Sequence, residues 1–213
     1  MASITAAETS ATISTRAARL AIGTIVLYQI LLAVLISLRP DLDPSWHTIS
    51  EWAIGPYGWI MSGAFLISAV SYAALFAVLR PQLRGKMGRI GLGLLLVCVI
   101  GATGVGICTT DPMPIHPPLS TVGTLHVVFG TSQLMLVPFA ALLINLSLAR
   151  NNPGWARARR VLLWTAGLPL LACSALWCTQ VFLWLLSGPM LTALASTSAG
   201  LRDLHFSPTC CGL

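Results

Sequence analysis

The sequence predicts an all-α fold, a polytopic transmembrane helical bundle. Two observations carry that prediction. Hydrophobic residues make up 56% of the 213 residues and charged residues only 8%, where a soluble domain carries about 25% charged residues. The mean hydropathy is +0.83, and the apolar residues gather in uncharged stretches of about 20 residues, the length that crosses a bilayer. This composition excludes the soluble, disordered, coiled-coil and collagen-like classes. A net charge of +6 would point to nucleic acid on a soluble chain. In a membrane protein, basic residues mostly set orientation, so no nucleic-acid partner is expected.

The first span covers 20–38, uncharged between Arg19 and Arg39. It is longer than the apolar core of a signal peptide, and Ile36-Ser37-Leu38-Arg39 is no small-residue cleavage site. An uncleaved first helix follows. Residues 1–17 before it are rich in Ala, Ser and Thr and are expected to be a disordered N-terminal segment. The second span covers 57–79, because Gly55-Pro56 break the start of the uncharged run. The third covers 90–109, between Arg89 and Asp111. A loop with Pro112, Pro114, Pro117 and Pro118 leads to the fourth, 121–148. The fifth covers 161–186 and stops at Gly188-Pro189. Residues 18–187 thus form the membrane domain. In the tail, 188–213, the segment Met190–Leu201 is short and rich in Ala, Ser and Thr. It reads as a surface or re-entrant segment, with a short sixth span as the alternative.

Orientation follows from the basic residues. Arg16 and Arg19 precede the first span; Arg80, Arg84, Lys86 and Arg89 join the second to the third; Arg150, Arg157, Arg159 and Arg160 join the fourth to the fifth. These mark the cytoplasmic side of a cell membrane, with the N-terminus inside. With five spans the C-terminus lies outside. Asp41, Asp43, Glu51, Asp111 and Asp203 take the outer side. Trp46, Trp52, Tyr57, Trp59 and Trp184 fit an outer aromatic belt, with Trp155 and Trp164 as the inner one. The predominance of Arg over Lys fits a GC-rich bacterial genome. The six cysteines form no CxxC and no Cys/His metal spacing, and Cys98, Cys173 and Cys178 read as small packing residues. No cofactor and no metal are expected. No internal repeat suggests the two related halves of a secondary transporter.

The non-basic polar residues concentrate at the outer ends of the spans. His47, Ser50 and Glu51 precede the second; Thr109, Thr110, Asp111 and His116 follow the third; His126 opens the fourth. Together they could line one outward-facing pocket. Each has a structural alternative. Ser50 and Glu51 suit a helix cap, and Asp111-Pro112 suits an Asx-type turn. His126 sits deepest and must find a partner, whether a structural hydrogen bond or a ligand. Glycines of the third span, Gly91, Gly93, Gly101, Gly104 and Gly106, suit close helix contact. Pro138 and Pro169 should kink their helices.

His47-Thr48-Ile49-Ser50-Glu51 followed by Gly58-Trp59 resembles the bacterial and archaeal membrane family known as domain of unknown function 998. Thr110-Asp111-Pro112 at the end of the third span and His126 in the fourth strengthen the resemblance, which covers roughly 18–187. It implies a multi-pass bundle of about six helices and a characteristic polar set of Ser50, Glu51, Asp111 and His126. It implies no activity. The tail departs from the expected final apolar helix. The reading that asks least of these residues is a non-enzymatic bundle binding membrane lipids, a small ligand or a protein partner. Two other classes compete. A proton-coupled carrier would use Glu51, Asp111 and His126 as a relay. A metal-dependent membrane hydrolase would draw ligands from His47, His116, His126 and Asp111.

Overall fold

A computed structural model describes residues 14–187, apart from Trp46 and residues 113–118. The tail segment Met190–Leu201 and His116 lie outside the described residues, as do the side chains of Cys173, Cys178 and Trp184. Five α-helices follow in order: α1 (Thr15–Leu38), α2 (Gly58–Leu79), α3 (Gly85–Ile107), α4 (Thr121–Asn151) and α5 (Arg159–Ser187). Short 3₁₀ turns occupy Ile49–Ala53 and Pro153–Ala158. There is no strand among the described residues.

Four helices, α1 to α4, are long and apolar enough to cross a membrane. Their cores match the spans read from hydropathy, but several ends reach further. α1 begins at Thr15 rather than 20, α3 at Gly85 rather than 90, and α4 runs to Asn151 rather than 148. Hydropathy marks the apolar stretch, whereas backbone hydrogen bonding continues into the polar turns beside it. At the start of α1 the Ser14 hydroxyl accepts from the Ala17 amide at 3.5 Å, a capping arrangement. α3 takes Lys86 and Arg89 into its first turns.

Up to Gly167 the chain forms one compact unit. Within it α1 packs on α2, α2 on α3, and α3 on α4, each pair antiparallel. Contacts come in two clusters. One joins Leu35, Trp52, Ala53, Met61, Phe65 and Val105. The other, toward the opposite end, joins Leu83, Leu92, Leu95, Ala140, Ile144 and Leu148. Outward faces remain apolar: Ile22, Ile90 and Ile100 are all more than half exposed. Such exposure suits contact with lipid rather than water. From Leu168 onward the chain forms a second unit, whose described part is residues 168–187 of α5, with Pro169 inside the helix.

Lipid tails are as apolar as the side chains they touch, so helices in a membrane associate by close packing and interhelical hydrogen bonds. Both occur here. On α3, a Cβ added at Gly101 would lie 3.0 Å from the Phe129 carbonyl oxygen of α4, and one at Gly91 would lie 3.1 Å from the Ile144 amide nitrogen. Among the described residues, nothing lies within 4 Å of a Cβ added at Gly93. Ser71 of α2 donates to the Ala21 carbonyl of α1 at 2.9 Å. At the Arg-rich end the Trp155 indole donates to Gln82 at 2.9 Å, and Asn145 donates to the Leu162 carbonyl at 2.9 Å.

The aromatic expectation needs one correction. Trp59 is 76% exposed and suits a belt, but Trp52 is only 5% exposed. The 3₁₀ turn folds Trp52 inward onto Leu35, Met61 and Phe65, so its ring serves the core.

Candidate functional site

The site lies at the end of the bundle where the first cluster packs. Arg39, just past α1, shapes its rim. The guanidinium donates to the Ile54 and Pro56 carbonyls at 2.7 and 3.3 Å and pairs with Asp41 at 2.8 Å. That hydrogen bond holds the Asp41 carboxyl below its ordinary range. The chain then turns sharply through Gly55-Pro56-Tyr57. Tyr57 takes a φ of 65°, the left-handed region that bulky residues seldom enter.

Glu51 and Asp111 both serve their own neighbourhoods. The Glu51 carboxylate accepts from the Thr48 amide at 2.6 Å and the Thr48 hydroxyl at 3.0 Å. This is a capping box on the 3₁₀ turn. His47 approaches the other carboxylate oxygen at 4.0 Å. Asp111 accepts from the Ser120 amide at 2.8 Å and the Ser120 hydroxyl at 2.5 Å. Ser120 in turn caps α4, accepting from the Gly123 amide at 2.9 Å. The carboxylate rests so close to Gly123 that a Cβ there would overlap it. Asp111 therefore braces the start of α4, nine residues downstream.

Ser50 and His126 come together. His126 Nε2 lies 2.9 Å from Ser50 Oγ, and Nδ1 lies 2.6 Å from the Cys108 carbonyl oxygen. The ring is 4% exposed and meets Phe65 edge-on, with centroids 6.3 Å apart. One imidazole thus ties the 3₁₀ turn, the end of α3 and α4. A carbonyl can only accept, so Nδ1 carries the hydrogen. In the neutral ring Nε2 is then bare and accepts from the Ser50 hydroxyl.

Of the four residues expected to form one polar set, the structure joins Ser50 to His126. No hydrogen bond links either of them to the Glu51 or Asp111 carboxylate. No group of three or more His, Cys, Asp or Glu residues is placed to hold a metal among the described residues. Sequence reasoning missed the Cys108 carbonyl, because any residue type supplies one. It also missed Trp52 Nε1, a buried nitrogen with no hydrogen-bond partner among the described residues.

A family model described as a protein of unknown function, DUF998, matches residues 21–200. The chain belongs to this family. With its apolar helices, this DUF998 member is a membrane protein. No curated protein and no solved structure matches it.

Proposed function

We propose that this DUF998 protein is a cell-membrane bundle whose outer end binds an amphiphile, a membrane lipid or similar acyl molecule, through a hydrogen-bond-accepting carbonyl. The observation that carries this reading is the Trp52 indole N–H. Among the described residues it is buried without a partner, and an unmet donor costs about 1–3 kcal/mol. A native fold seldom keeps such a group without a reason, and a ligand carbonyl would meet it. The surroundings fit an acyl chain: Leu35, Met61, Phe65 and Val105 share one apolar cluster with Trp52, and Ile107 at the end of α3 is 70% exposed. Arg39 and the Ser50–His126 bond hold the Ile49–Ala53 turn in place beside this end. The carrier and metal-hydrolase readings both draw on Asp111, whose carboxylate is engaged with Ser120.

Native mass spectrometry from nanodiscs tests the proposal. The parent chain should retain an amphiphile adduct. Trp52→Phe keeps an aromatic ring, though a smaller one, and removes the donor; it should lower occupancy about tenfold, the effect of losing roughly 1.4 kcal/mol. Equal retention by both chains would refute the reading.

We further propose that this end faces outward, with the N-terminus cytoplasmic, on the strength of the Arg-rich opposite end. In intact cells, Ser45→Cys should gain reactivity with an impermeant maleimide, and Lys86→Cys only after permeabilisation. The reverse pattern would invert the topology.

A further inference from the structure

We propose that Ser50 and His126 act as a nucleophile and general base that cleave a carboxylic ester of the amphiphile bound at this end. This inference rests on the binding reading above and adds a reaction to it.

Hydroxyl partners set Ser50 apart. Ser68, Ser71, Ser132 and Ser147 donate to backbone carbonyls, as hydroxyls in apolar helices commonly do. Ser120 donates to a carboxylate. Ser50 differs: its hydroxyl faces an imidazole nitrogen at 2.9 Å, within the reach that a nucleophile and its base need. The ring cannot swing away, since its other nitrogen is held at 2.6 Å by the Cys108 carbonyl. That carbonyl fixes the tautomer that leaves Nε2 free to take a proton, the orienting role a carboxylate plays in many serine hydrolases. Ser50 is half-buried on a short turn, whereas the ring behind it is enclosed. The nucleophile is therefore more accessible than the base. Trp52 lies two residues along the same turn, and its indole N–H, unpaired among the described residues, would meet charge developing on a substrate carbonyl oxygen.

The reaction balances with water as the only co-substrate. Ser50 Oγ attacks the ester carbonyl carbon and its proton passes to His126 Nε2. The carbon–alkoxy bond breaks, and the alcohol leaves with the proton from Nε2. Water then attacks the acyl-serine and gives a proton to Nε2. The carboxylic acid departs as the Ser50 hydroxyl regains a proton.

Purified protein in nanodiscs is treated with a fluorophosphonate probe and, separately, with a fluorogenic heptanoyl ester. Adducts are mapped by mass spectrometry. The parent chain should carry one probe on Ser50 and hydrolyse the ester. Ser50→Ala should do neither. His126→Asn keeps a donor for the Cys108 carbonyl but removes the base, and should slow both reactions about 100-fold or more. Circular dichroism confirms that each variant is folded. Retained amphiphile with no labelling and no hydrolysis overturns the dyad and leaves the binding reading standing. Loss of all three in the folded parent chain overturns both. Labelling or hydrolysis that survives in Ser50→Ala overturns the dyad as well.

Discussion

His126→Ala should lower the thermal unfolding midpoint by roughly 6–12 °C, followed by circular dichroism in detergent. The substitution leaves the Cys108 carbonyl and the Ser50 hydroxyl without their partner and opens a gap beside Phe65. An unmet buried polar group costs about 1–3 kcal/mol, and a cavity adds to it. A total of about 3 kcal/mol corresponds to that midpoint shift for a chain of this size. His126→Asn should recover about half, because its amide can still donate to the Cys108 carbonyl. An unchanged midpoint in His126→Ala would show that this latch does not hold the bundle.

The second large effect concerns α3. Gly101→Leu should destabilise by about 3 kcal/mol, at the upper end of the usual cost of overpacking. The nearest atoms on α4 are the Gln133 Cβ and a backbone atom, the Phe129 carbonyl oxygen, each at 3.0 Å. Backbone cannot rotate aside as a side-chain tip can, so the helices must part. Gly93→Ala on the same helix is the control. Its Cβ would meet nothing within 4 Å among the described residues, and the gain in helix propensity is about 1 kcal/mol. The two variants should therefore move the midpoint in opposite directions. A fall in both would mean that the glycines matter for helix flexibility rather than for the α3–α4 seam.

The spans were legible because crossing a membrane demands a long uncharged run, and Arg19, Arg39, Glu51, Arg80, Arg89 and Asp111 bound those runs. Some helix ends were less legible, since Ser14 caps α1 by a hydrogen bond that hydropathy does not weigh. Ser50 and His126 could be placed at the same end of the bundle from topology alone. Their pairing could not, as 76 residues separate them and no spacing rule reaches that far. Glu51 was ambiguous for a different reason: the contact that engages it, with Thr48, is as local as the cap that the sequence already allowed. Trp52 misled because a tryptophan at a helix boundary suits either a belt or a core. Only the fold of the short turn decides between them.

The Ser50–His126 bond also has a place in time. Synthesis delivers residues at about 5–20 per second, so the 76 residues between the two partners take roughly 4–15 seconds to appear. Through that interval α2 and then α3 are made, after α1, while Ser50 on the turn at Ile49–Ala53 still lacks its partner on α4. The Cys108 carbonyl also waits for its donor. The nascent chain therefore leaves this end unlatched until α4 arrives, and a ribosome stalled before His126 would leave three helices without the bond that closes it.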